Sequence, residues 1–223
     1  MLDGKKMNNI LYEDNHIIVV NKLPNVPVCL DSSNDLDLMS IIKKYLKDKY
    51  NKPGNVYLGL VHRLDRPVSG VMVFAKTSKA ASRLSDEVRC KKFVKTYYAV
   101  ICGKCKEHDV LVDKLLKDTK TNITRVDKNG KESILEYDLI DYKDNLSLVK
   151  INLKTGRSHQ IRVQFSSRNL PLYGDMKYNS DAIKGNICLV AKELSFIHPT
   201  TKELLTFAVD LPSTYPWSIF KVD

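Results

Sequence analysis

Apolar and polar positions along the chain fall into short bursts whose period changes, and the period predicts the elements. "ILYEDNHIIVVNK" (10–22) carries two β-rich runs around Asp14 and Asn15 and predicts a hairpin. Residues 35–50 place apolar side chains at Leu38, Ile41, Ile42, Tyr45 and Leu46, the spacing of one helical face. Asp35 or Asp37 supplies the cap and Pro53-Gly54 the stop. "VYLGLV" (56–61) and "VMVFAK" (71–76) read as strands, and 78–90 as a helix capped by Ser78. Strands follow at 93–101, 132–142 and 146–154, the last two joined by the turn Lys143-Asp144-Asn145. A helix over 158–169, with Ser158 as cap, precedes closing strands at 187–197 and 204–210. Consecutive strands on short turns favour antiparallel pairing. Strand clusters with interspersed helices predict an α+β fold rather than a βαβ alternation. Residues 1–9 read as an N-terminal arm before a single domain over 10–223.

Composition changes this picture little, and charge changes it more. A chain of 223 residues that is 43% hydrophobic has ample surface to bury. Its 36 Lys and Arg against 26 Asp and Glu leave a net charge of +10. Such an excess draws polyanions, nucleic acid before an anionic membrane, although a lysine-rich surface kept for solubility explains it equally well. Lys43, Lys44, Lys47 and Lys49 fall off the apolar face of the first helix and read most simply as solvated surface. Five scattered cysteines suggest no disulfide framework, and no apolar run is long enough to span a bilayer. These features predict a soluble protein of a reducing compartment, the cytoplasm, without membrane partner.

Three dense patches could carry chemistry. "VHRLDRPVSG" (61–70) packs His62, Arg63, Asp65 and Arg66 into a loop closed by Pro67 and Gly70. By spacing alone Asp65 is best read as a solvated turn residue. "LKTGRSHQIR" (153–162) sets Arg157 at a helix start, where a cation opposes the macrodipole unless an anion sits there too. Asp65 is the carboxylate that would profit from such a partner. In "KTYYAV" (95–100), Tyr97 and Tyr98 point to opposite faces of a strand, so one is core and the other can stack on a base. A metal-dependent hydrolase built from His62, Asp65 and His159 matches no ligand spacing, and "CGKC" (102–105) with His108 lacks the second pair that structural zinc needs. That segment reads instead as a hairpin turn on Gly103.

"HRLDRPVSG", "KTYYAV", "LKTGRSHQIRVQF" and "LPLYGDMKY", in this order, resemble the RluA-like family of RNA pseudouridine synthases. "VNKLPNVPV" and "LSFIHPTTKELLTFAVDLP" extend the resemblance over roughly residues 10 to 212. It implies a pseudouridine synthase fold, a central, mostly antiparallel bent sheet flanked by helices with an RNA-binding cleft. It implies that uridines in ribosomal or transfer RNA are isomerised without cofactor or metal. By position, Asp65 matches the catalytic aspartate, Arg157 its arginine partner, and Tyr97 the active-site tyrosine. Arg63 matches the arginine that takes the displaced base's place, and Ile161 a pocket wall. His62, Arg66, His159, Gln160 and Arg162 complete the expected RNA-binding set. Departures stand at Val68, where Thr is usual, at Leu23 and Asn25 in the opening motif, and at Gln164 and Leu170, where His is common. The resemblance leaves no separate S4-type RNA-binding module and implies a monomer with RNA as partner and no obligatory protein partner. The rival from another class is a non-catalytic RNA-binding protein of the same fold.

Overall fold

The computed structural model describes residues 9–31 and 33–221, so the expected arm lies outside them apart from Asn9. The chain forms two compact units, residues 1–93 with 193–209, and 94–192 with 210–223. Helices and strands occur in both, as an α+β fold requires, and every strand pairing described below is antiparallel.

In the first unit, β1 (Ile10–Glu13) and β2 (Ile17–Lys22) form the expected hairpin. Its turn closes because the Asp14 carboxylate accepts the amides of His16 and Ile17 at 2.7 and 2.8 Å. Ile17, Ile18, Val19 and Val20 are all buried, so β2 is covered on both faces. Helix α1 (Leu38–Lys49) buries Leu38, Ile42 and Leu46, and Asp37 is its cap, accepting from the Ser40 amide at 3.1 Å. Only Gly59–Leu60 of the expected 56–61 strand pairs, as β3, against β4 (Ser69–Ala75), which also flanks β2. Helix α2 (Ser78–Arg89) is capped by Thr77, not Ser78, because the Thr77 hydroxyl accepts the Ala80 amide at 3.2 Å.

The second unit is built on β5 (Val94–Cys102), β6 (His108–Asp118), β7 (Ile123–Val126), β8 (Lys131–Lys143) and β9 (Leu146–Leu153). The spatial order is β5-β9-β8-β6-β7. Neither β6 nor β7 was expected from the pattern. Gly103 does turn the chain, at φ 96°, but the segment after it is not a hairpin: β5 pairs β9 while β6 pairs β8. Helix α3 (Gln160–Ser166) is shorter than expected, and Ser158 does not cap it. His159 holds the N-cap position in the left-handed region, φ 54°, without a capping bond.

Strand β10 (Leu189–Ile197) leads from the second set of residues into the first and pairs β11 (Leu204–Ala208) there. His198 locks the turn between them. Its Nδ1 accepts the Thr201 amide at 2.9 Å, so Nε2 carries the proton toward Asp14, 2.8 Å away.

Glu13 ties α1 to the strands: its carboxylate accepts from Lys76 at 2.7 Å, Tyr50 at 2.7 Å, Lys49 at 2.8 Å and Tyr45 at 3.0 Å. Burial pulls this carboxyl up, but those four donors outweigh it and hold it down at about 2. A depressed carboxyl stabilises the fold above its unfolded value of 4.5, and that contribution is lost as pH falls toward 2. Glu13→Gln should therefore lower stability by about 2 kcal/mol at neutral pH in denaturant titrations, with the deficit vanishing in strong acid. A pH-independent deficit would contradict this role.

Candidate active site

The loop carrying Asp65 runs between β3 and β4 and is fixed from within. Leu64 and Val68 on either side of Asp65 are buried, and the Val68 amide donates to the Asp65 carbonyl at 3.0 Å. Pro67 has no N–H to satisfy, and Gly70 takes φ 127°, where a side chain would be strained. His62 faces the core: its Nε2 accepts the Val73 amide at 3.1 Å, and its ring meets Phe93 edge-on at 5.8 Å.

A group that no motif marks holds this loop from below. Lys22, at the end of β2, has no exposure to water. Its Nζ donates to the carbonyls of Leu23 at 3.0 Å, Val26 at 2.8 Å and Arg66 at 2.8 Å. Three carbonyls match the three N–H donors of an ammonium. Burial pushes that ammonium down to about 7, against the pull of the Asp65 charge and with the push of Arg66. Lys22 thus joins two loops, 23–26 and 61–68, at the residue after Asp65. In the first of these, Asn25 takes φ 63°, so the departure there keeps a turn that favours glycine.

The loop's arginines differ. The Arg66 guanidinium is held by Asp31 at 3.3 Å, by Ser33 at 2.8 Å and by Asp35. Arg63 is exposed and makes no side-chain bond to a described residue.

In the second unit, Tyr97 lies on β5 opposite Ile151 of β9 and is 8% exposed, while Tyr98 is half-buried. Arg157 follows β9 on an exposed turn, three residues before α3 rather than at its start, and its Nε donates to the Glu132 carbonyl at 3.0 Å. Side-chain amides set that turn. Gln160 Oε1 accepts from the Arg157 amide at 3.0 Å and from the Thr155 hydroxyl at 2.8 Å. Gln160 Nε2 donates to Gln164, whose own amide donates to Asp113 at 2.7 Å.

His159, Gln160, Ile161 and Arg162, expected to bind RNA, are all buried. His159 Nδ1 shares a 2.6 Å hydrogen bond with the Tyr178 hydroxyl. Arg162 grips Asp175 through two bonds of 2.8 and 2.6 Å and lies over the Tyr178 ring. In this structure these four residues anchor α3 and the Arg157 turn; "YGDMKY" supplies the other half of the anchor through Asp175 and Tyr178. Among the described residues no three His, Cys, Asp or Glu side chains come together to hold a metal ion.

The sequence model for RNA pseudouridylate synthases matches residues 16–167. Ribosomal large subunit pseudouridine synthase D of Buchnera aphidicola is 32% identical over 221 residues, covering 92% of this chain and 69% of its own length. Synthase C of the same organism is 34% identical over 218 residues, covering 91% of this chain and 67% of its own. The chain thus spans about two thirds of the length of these relatives. The solved structure of human RNA pseudouridylate synthase domain containing 4 superimposes with a TM-score of 0.77 at 22% identity, over 92% of this chain and 89% of that one, a likeness of fold.

If Lys22 fixes the Asp65 loop, Lys22→Met should leave the carbonyls of Leu23, Val26 and Arg66 without their ammonium donor and lower stability by about 3 kcal/mol, read from denaturant titrations. A loss under about 1 kcal/mol would show that the carbonyls find other donors.

Proposed function

The chain belongs to the RNA pseudouridylate synthase family, and from that membership we propose that it isomerises uridines of ribosomal RNA through Asp65. The observation that carries this reading is the Asp65 loop itself. Its backbone is pinned by Leu64, Val68 and the buried Lys22, inside the matched region, while Arg63 beside it stays exposed. A pinned carrier for a carboxylate next to an exposed cation suits chemistry on a nucleotide drawn out of its stack.

The reaction is a balanced isomerisation. The bond from ribose C1′ to uracil N1 breaks, the base turns, and C1′ bonds to C5. C5 loses a proton and N1 gains one. No atom or electron is added overall, so the reading requires no cofactor, metal or energy source.

In this proposal Asp65 acts as the ionised carboxylate on the nucleotide. Arg157 and Tyr97 act on the same uridine: the guanidinium favours the charged carboxylate, and the phenol ring offers the uracil a flat face. Extrusion of a paired uridine costs a few kcal/mol, and Arg63 filling the gap would offset part of it. Gln160, Arg162 and His159 serve by holding the Arg157 turn, and Ile161 by packing beneath it. The two units work as one catalytic domain. RNA is the partner, through a surface to which Lys43, Lys44 and Lys47 of α1 contribute exposed charge. Ribosomal RNA is the proposed substrate because the relatives above are named for it; transfer RNA is the second substrate to be tested. Among the described residues no helix is long and apolar enough to cross a membrane. We place the protein in the cytoplasm, acting as a monomer.

The test is recombinant protein with unmodified ribosomal and transfer RNA, scored by pseudouridine mapping. Wild type should convert defined uridines, and Asp65→Asn should bind the same RNA while conversion falls at least ~10³-fold. An Asp65→Asn protein that still converts RNA removes the assignment of Asp65. Wild type that binds RNA and converts none leaves a binding protein on the same fold.

A further inference from the structure

Strands β6 and β7, with the start of β8, carry cations in excess: Lys114, Lys117, Lys120, Arg125, Lys128 and Lys131 against Asp118, Asp127 and Glu132. Register divides the strand residues between two faces. On one face the charges are balanced: Lys114 stands opposite Glu132, and Arg125 is paired with Asp127 at 3.1 Å. On the other, Lys117 follows Leu111, Asp113 and Leu115 at every second position, and Lys131 stands opposite Leu115. Both lysines are exposed, and among the described residues neither ammonium has a hydrogen bond or an ion pair. Asp113 on their face is already taken, by Gln164 at 2.7 Å and Arg168 at 2.9 Å. Asp118 accepts the Lys120 amide at 2.8 Å and the Thr121 hydroxyl at 2.9 Å, within its own turn.

Lys117 and Lys131 are diagonal neighbours across β6 and β8, about 7–8 Å apart. That is within the screening length of about 8 Å at physiological ionic strength, so the two like charges repel. Protection of the sheet edge does not explain them. Lysines that blunt an edge belong on the edge strand, here β7, whereas these two lie on β6 and β8 inside it. Two contacts tie their face to the Arg157 turn, all within the second unit. Arg157 Nε donates to the carbonyl of Glu132, the residue after Lys131, at 3.0 Å. Thr124, opposite Lys117, donates its amide to the Tyr178 hydroxyl at 2.9 Å, and that hydroxyl is bonded to His159 at 2.6 Å. The lysines thus form a basic track that starts beside the Arg157 turn and is held in fixed register with it.

We propose that Lys117 and Lys131 form an RNA-docking track, each holding a backbone phosphate of the substrate strand that leads away from the Arg157 turn. The proposal rests on the pseudouridine synthase reading and adds to it a contact outside the pocket. Phosphate contacts of this kind position an RNA without reading its sequence. An ammonium recognises phosphate by charge rather than by paired geometry, so Arg is a workable substitute and Gln is not.

The experiment measures binding of unmodified large-subunit ribosomal RNA fragments, transcribed in vitro, across a salt series. It compares wild type, Lys117→Gln/Lys131→Gln, Lys117→Arg/Lys131→Arg and a control, Lys104→Gln/Lys143→Gln. The control removes the same charge from exposed lysines at the other end of β8, where Lys143 is its last residue and Lys104 lies over the Tyr142 ring. Lys117→Gln/Lys131→Gln should weaken binding about tenfold or more and lower the slope of log affinity against log salt by about 1.4 to 1.8, two phosphates' worth. The control should change that slope by less than about 0.5. The Arg pair should keep the wild-type slope. At saturating RNA, kcat of Lys117→Gln/Lys131→Gln should stay within about threefold of wild type, because the lost contact is equal in ground and transition states. Equal effects of the two Gln pairs, an unchanged slope in Lys117→Gln/Lys131→Gln, or a loss confined to kcat would each overturn the proposal. Failure of wild type to convert these RNAs would instead overturn the functional reading, while the salt slopes would still report the track.

Discussion

Three backbone carbonyls converge on the Nζ of Lys22, and one of them belongs to Arg66, the residue after Asp65. A charge withdrawn from water is tolerated only where geometry fills its donors. Here that requirement fixes the chain. The carbonyls of Leu23 and Val26 set the loop after β2, and the carbonyl of Arg66 sets the loop before β4. Because β2 and β4 are neighbours in register, Lys22 opposite Gly70, the two loops leave the same end of the same strand pair. The position of Asp65 thus follows from strand pairing, with the ammonium as its last restraint.

The second unit fixes its own turn largely through side-chain amides. Thr155, Gln160, Gln164 and Asp113 form a chain of side-chain hydrogen bonds from the Arg157 turn to β6. Arg168 closes it on Asp113 at 2.9 Å. Such a network holds only if each member is satisfied. Gln164, where the family resemblance led to an expectation of His, is satisfied here: its amide donates to Asp113 and to the carbonyls of Leu111 and Ser133. This departure from the family pattern is therefore self-consistent in this chain. It alters a support of the turn, with Arg157 itself unchanged.

Local chemistry was legible in the sequence, and burial of polar groups was not. The β1–β2 hairpin, α1 and its Asp37 cap follow from period and cap residue. Strands β6 and β7 escaped because Val110, Val112, Ile123 and Val126 are exposed apolar residues and Asp113, Lys114, Lys117 and Asp118 break the alternation. The α3 start was misplaced because His159 adopts a left-handed backbone, which no spacing rule foretells. The Asp65 loop and the Arg157 turn were visible as dense polar patches, and the resemblance gave them roles. Lys22 was invisible as a site residue. A lysine at a strand end reads as surface, and only tertiary packing shows that Lys22 is withdrawn from water. Arg162, which read as a nucleic-acid contact, pairs with Asp175 out of reach of water, a burial that no spacing foretells.

The account stands on the Lys22 ammonium fixing the loop of Asp65. Amide hydrogen exchange at Val68, whose N–H is bonded to the Asp65 carbonyl, reads that restraint at its target. With wild type and Lys22→Met both folded, exchange at Val68 should speed up about 100-fold in the variant, while amides of β8 and β9 keep their protection. Equal exchange at Val68 in the two proteins would show that the loop holds its shape without Lys22, and the account would fail.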